Sequence, residues 1–217
     1  MTDAIGASGM DRLPRLIQLQ KTDPMNDTTG PCGLSDEELL LRFIRGENEG
    51  LEQLFLRYRQ PLFGFFRRRL EDWAVAEELT QETFVAVLKA APRYKPSSLF
   101  RTWLYAVALN LLRAHRRKAA FRATFLGSLS PDREPAAPPT MESELRIRQA
   151  IAKLDETDRE IVLLREFEQL SYAEIAALLA LPLNTVRSRL FRARQALHAL
   201  LVAPAPRPAV DPLEVRS

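Results

Sequence analysis

Two small all-helical units joined by a proline-rich connector are the fold class that the 217-residue sequence predicts, on three observations. Apolar residues recur at helical spacing through residues 35–122 and again through 141–202, with no alternating β-branched pattern that would mark strands. Between these blocks lies "GSLSPDREPAAPPT", too poor in apolar residues to belong to a core. Charge is also unevenly placed on a chain of net charge +3. Residues 83–131 hold nine Lys or Arg and no acid, and residues 175–210 hold five arginines and no acid. Two separate basic surfaces on a nearly balanced protein are expected.

Residues 1–34 mix Gly, Thr, Asp and Pro without periodicity and read as a mobile leader. The first unit, 35–120, is predicted to hold helices near 35–46, 50–70, 73–90 and 98–118. Asp72 is placed to cap the third, and Pro92 and Pro96 to end it. A linker over 121–140 follows. In the second unit, 141–202, Asp155 is placed to cap a helix running to about Phe167. Ser171 and Glu174 in "SYAE" form a capping box that opens a short helix to Ala180, and Pro182 pre-sets the start of the next. The proline-rich tail, 203–217, reads as loose.

That last helix contains "NTVRSRLFRARQAL", with four arginines and no acid. At 100° per residue, Val186, Leu190, Ala193, Leu197 and Leu200 fall within about 40° of one line. Asn184, Arg187, Ser188, Phe191 and Gln195 lie opposite, with Arg192 and Arg194 on the flanks. A solvated bundle helix would mix Lys with Glu for i,i+4 pairing. A membrane-surface helix would leave its apolar stripe free, whereas Ile175, Ala176 and Leu179 of the preceding short helix can cover this one. A capped short helix, a tight turn and an arginine-bearing helix make a helix-turn-helix. Arg forks onto guanine edges and Asn pairs with adenine, so the outer face suits a DNA groove.

The fourth helix, "SLFRTWLYAVALNLLRAHRRK", places Phe100, Leu104, Val107 and Leu111 on one face as core. Tyr105, Arg113 and Arg116 fall opposite, with Trp103, Asn110 and Arg117 at the border. Rings interleaved with cations suit unpaired bases, although a tryptophan so placed is equally a core-edge residue.

"DWAVAEELTQETFVAVLKA" followed by "FRTWLYAVALN" and "RRK" resembles conserved region two of bacterial sigma factors, and "LSYAEIAALLALPLNTVRSRLFRARQAL" resembles their region four. With two domains and a short linker, the chain is most similar to the extracytoplasmic-function (ECF) subgroup, over about residues 35–201. The resemblance implies a subunit that binds core RNA polymerase and directs it to promoters. Glu78, Leu79, Gln81 and Glu82 match the segment that docks on the clamp helices of β′, with the β subunit as a further contact. Trp103, Tyr105, Asn110, Arg113 and Arg117 match positions that recognise and melt the −10 element. Asn184, Thr185, Arg187, Ser188, Phe191, Arg192 and Arg194 match the −35 reader. An anti-sigma factor is a further partner that the resemblance implies. Three positions depart from the family pattern: Ala114 stands where Asp is usual, Asp155 where Pro is frequent, and Asn184 where Gly is usual.

Other functions find little support. His115 and His198 are the only histidines, both on basic helices without a nucleophile or metal cluster, so neither enzymatic activity nor a cofactor or metal is expected. The lone Cys32 cannot form an internal disulfide, and its role stays open. No apolar run reaches the ~18–20 residues of a membrane span. The start lacks a secretion signal, so a cytoplasmic location without membrane insertion is expected. A free-standing helix-turn-helix regulator, or more weakly an RNA-binding adaptor, would explain the second unit but not the acidic "AEELTQETF" beside a basic aromatic helix.

Overall fold

The computed structural model describes residues 33–94, 99–126 and 142–202; the leader through Cys32, residues 95–98 with Pro96, residues 127–141 and the tail lie outside them. Helix α1 (Asp36–Ile44) opens on Ser35, which accepts from the Glu38 amide at 3.3 Å while Glu38 accepts from the Ser35 amide at 2.8 Å. This reciprocal cap satisfies two amides that the first turn leaves over. Gly46, at φ +97°, turns the chain into α2 (Asn48–Arg67), where that left-handed backbone favours glycine. The two helices approach so closely at Gly50 that a Cβ would lie 2.2 Å from the Leu39 carbonyl oxygen. Buried Asp36 bonds both Arg57 and Tyr58 of α2, so its charge is paired inside the unit.

Helix α3 (Trp73–Ala90) starts where the sequence predicts, with Asp72 accepting from the Val75 amide at 3.2 Å. A 3₁₀ turn, Ala91–Arg93, leads towards α4 (Phe100–Leu126), whose first amide donates to Glu37 of α1 at 2.7 Å. Helix α4 runs past the expected end at 118, because "RRKAAFRATFL" meets no Gly or Pro before Gly127 and its alanines favour helix. Its fully buried stripe is Phe100, Leu104, Ala108 and Leu112. Leu111, expected inside, is only partly buried, because the i,i+4 row carries Leu112 inward instead.

The second unit comprises α5 (Glu142–Ala152), α6 (Glu156–Glu166), α7 (Tyr172–Leu179) and α8 (Leu183–Val202). Asp155 accepts from the Thr157 amide at 3.1 Å, and Ser171 and Glu174 form the capping box read from the sequence. Pro182 stands just before α8 and its carbonyl accepts from the Val186 amide at 3.1 Å. Val186, Leu190 and Ala193 are buried, with Ile175 of α7 beneath them and Ala176, Leu179 and Leu197 partly covered. The expected stripe and the expected cover are both present.

The units also touch. Arg68 and Arg69, at the end of α2, meet Glu160 and Glu168 of the second unit, and Arg116 meets Glu156 at 3.2 Å. Thr102 of α4 donates to Glu174 of α7, and Arg101 donates to the Gln169 carbonyl at 3.2 Å. Residues 101–109 of α4 are therefore buried on every side.

Candidate nucleic-acid interface

The outer face of α8 is open. Asn184, Arg187, Ser188, Phe191, Arg192 and Arg194 are exposed and Thr185 is half-buried, with Phe191 65% accessible on the rim. The four arginines divide into two pairs. Arg189 reaches back to Asp158 at 2.7 Å and Asp155 at 3.4 Å, and Arg194 to Glu166 at 2.6 Å. Those carboxylates push both guanidinium pKa values further up. Arg187 and Arg192 have no acidic partner among the described residues. Arg194 is half exposed in its ion pair, and solvent screening keeps such a pair weak enough to exchange for a phosphate. Ser188 spends its hydroxyl proton on the Thr185 carbonyl at 3.1 Å, which leaves its oxygen as an acceptor.

Helix α4 presents its second basic surface only in part. Arg113 and Arg117 are exposed and Asn110 is half-buried. Trp103 and Tyr105, expected at the border and on the open face, are 7% and 3% accessible. Trp103 packs its ring 5.1 Å from Tyr94 and 5.9 Å from Phe100. Tyr105 lies 5.5 Å from Phe65 and beneath the second unit. Burial, and then the nearby Glu168 carboxylate, push its phenol pKa well above the ordinary range. The wheel assigned Tyr105 to the side away from its own unit's core, and that side is covered by the other unit.

A third surface lies on α3. Glu78, Gln81 and Glu82 are exposed as expected, whereas Leu79 is 4% accessible and belongs to the core. Leu79 falls inward with Ala76, Thr83 and Phe84, so it supports this face from within. Two neighbours were missed. Glu77 and Trp73, the latter 59% accessible, line an open groove of about 340 Å³ with Phe55, Arg59, Gln60, Phe63, Thr80 and Gln81. The i,i+4 row of Trp73, Glu77 and Gln81 was the sequence signal for it.

The family model "Sigma-70 region 2" matches residues 54–122, and "Sigma-70, region 4" matches residues 144–197. RNA polymerase sigma-H factor of Pseudomonas aeruginosa is 33% identical over 180 residues, covering 76% of this chain and 93% of that protein. ECF RNA polymerase sigma factor SigC of Mycobacterium tuberculosis is 34% identical over 175 residues, covering 76% of this chain and 92% of that protein. This chain belongs to the ECF RNA polymerase sigma factors. Among solved structures, CnrH in complex with the cytosolic domain of CnrY is similar at 28% identity and a TM-score of 0.58, over 76% of this chain and 96% of that one.

A sigma factor serves promoter-specific transcription initiation, and the two matches divide this one by element. Region 2 takes in most of α2, α3 and most of α4, with the aromatic-lined groove, the acidic outer face of α3 and the partly covered basic surface. Region 4 takes in α5 to α8 with the open arginine face. Helix α1 precedes the region 2 match, yet it supplies Glu37 to the start of α4 and Asp36 to α2. Among the described residues, no helix of this sigma factor is long and apolar enough to cross a membrane.

Proposed function

We propose that this sigma factor reads the −35 element with α8, engages the −10 strand with α4, and docks on core polymerase through α3. The observation that carries the reading is the acid-free outer face of α8, held rigid by a buried stripe and offered to solvent. Arg187, Phe191 and Arg192 lie where base edges are met, with Asn184, Thr185, Ser188 and Arg194 beside them for base or backbone contact. The unit at 35–120 carries polymerase and −10 contacts, and the unit at 141–202 carries −35 contacts. Arg113, Arg117 and Asn110 are the −10 contacts already near the surface, Tyr105 joins them when the units separate, and Trp103, packed on Tyr94 and Phe100 of its own unit, supports them from within.

Glu78, Gln81 and Glu82 give α3 an acidic outer face that suits the β′ clamp helices and the adjoining β subunit. CnrH was solved in complex with the cytosolic domain of CnrY, and a protein partner is proposed here too, of the anti-sigma kind that the sequence resemblance implies. The protein acts in the cytoplasm as an initiation subunit, with no catalysis of its own. Transcription by core polymerase over a promoter library tests the reading directly. Replacing Glu78, Gln81 and Glu82 together by Ala should abolish co-purification with core and leave the helical circular dichroism unchanged. Unaltered affinity for core would reject the docking face.

A further inference from the structure

Arginines on one face of region 2 are all met by oxygens of region 4. Arg68 contacts both carboxylate oxygens of Glu168 at 3.1 Å. Arg69 forks onto Glu160 at 2.8 and 3.0 Å and reaches Glu168 at 3.2 Å. Arg101 donates to the Gln169 carbonyl at 3.2 Å, and Gln169 holds a left-handed backbone at φ +55° to present it. The side chains of Arg69 and Glu168 are each 1% accessible. Arg68 also lies over the Phe167 ring at 4.6 Å. The whole α6–α7 connection is thus shaped around these cations.

A guanidinium fork that fits a carboxylate fits a phosphate equally well. Rings adjoin the cations: Arg69 sits 3.7 Å from the centre of Phe65, and Tyr105 lies 5.5 Å beyond it. Cations beside flat aromatic faces suit single-stranded nucleic acid, whose bases stack while its phosphates are neutralised. Further along α4, Arg113 and Arg117 continue the basic row, and Arg116 takes a third carboxylate, Glu156. Buried ion pairs lose much of their attraction to desolvation, so this contact fixes register strongly but is held closed by little net energy.

We propose that Arg68, Arg69 and Arg101 form a phosphate-binding site for single-stranded DNA. In the closed chain Glu160 and Glu168 occupy it as intramolecular stand-ins. The closed form therefore excludes the strand, and parting of the two regions exposes the cations together with Tyr105. The identity of the strand rests on the −10 reading of α4; the site itself rests on the arginines.

The test uses full-length chains, a fluorescein-labelled single-stranded DNA oligonucleotide and no polymerase. Glu160→Gln/Glu168→Gln should bind roughly tenfold tighter than the natural chain, as expected when a minor competent state becomes the main one. Arg68→Gln/Arg69→Gln breaks the same contact but removes the site, and should gain nothing. Glu49→Gln/Glu52→Gln, exposed on α2, matches the charge change of the first variant and should also gain nothing. Loss of two phosphate contacts should make the salt dependence of the arginine variant shallower than that of the carboxylate variant by about 1.4, at ~0.7 per phosphate. Equal gains in the two variants, no gain in the first, or equal salt slopes in the two would each overturn the site. Should the arginine variant fail to fold by circular dichroism, the gain of the carboxylate variant over the charge-matched control decides. Because polymerase is absent, failure here leaves the docking and −35 readings standing.

Discussion

Helices α4 and α8 look alike in sequence: each is long, basic, free of acid and marked by a clean apolar row. In the structure they differ. Helix α8 keeps its outer face open because its cover, α5, α6 and α7, comes from its own unit and leaves that side free. Helix α4 is covered twice, by its own core and then by the other unit, so nine consecutive residues from 101 to 109 are buried. A helical wheel tells which face needs cover, and it is silent on whether a distant segment covers the rest. Arginine on a wheel marks a possible surface; its realised partner depends on the tertiary arrangement.

The sharpest way to break this contrast is to truncate one aromatic from each helix. Trp103→Ala should cost about 3–5 kcal/mol in chemical denaturation, as loss of a buried ring does. Phe191→Ala, exposed on the rim, should stay within about 0.5 kcal/mol. Equal costs would mean that the two faces are equally covered. A smaller effect separates reading from folding on α8. Arg192→Ala should weaken duplex −35 binding by about 1–3 kcal/mol and relax preference at one base position, with unchanged stability. Anisotropy on single-base variants of the duplex checks it, and a uniform loss across all bases would make Arg192 a backbone contact.

The smallest effect concerns Tyr105. Its folded pKa is raised above the ordinary value near 10, first by burial and then by Glu168. The stability this contributes is complete below about pH 10 and drains away as pH climbs beyond it, since the unfolded phenol ionises first. Tyr105→Phe should flatten the alkaline decline in stability. An identical decline in both chains would place Tyr105 in solvent and remove its cover.

Local features were legible, because local physics fixes them. The "SYAE" box, the Asp72 and Asp155 caps, and the Val186–Leu190–Ala193 stripe each involve residues within a few turns of one another. The Ser35–Glu38 box had the same S-x-x-E form and passed unread. Leu79 was placed among surface residues through resemblance, although its own spacing with Ala76 and Thr83 put it inside. The end of α4 falls at Leu126 and not near 118, because no breaker residue stands between them. The contact of Arg69 with Glu160 and Glu168 had no local signature at all. It spans 91 and 99 residues, and no periodicity links such partners.

Glu174 divides its two oxygens between two structures. One accepts the Ser171 amide at 2.7 Å and completes the cap of α7, and the other takes the Thr102 hydroxyl of α4. Withdrawing Thr102 leaves an oxygen that water can satisfy, while the cap remains whole. The region 4 unit can therefore leave its neighbour without fraying the start of α7. Attachment and integrity share a side chain but not an atom, so Thr102→Val addresses the first alone and Glu174→Ala strikes both.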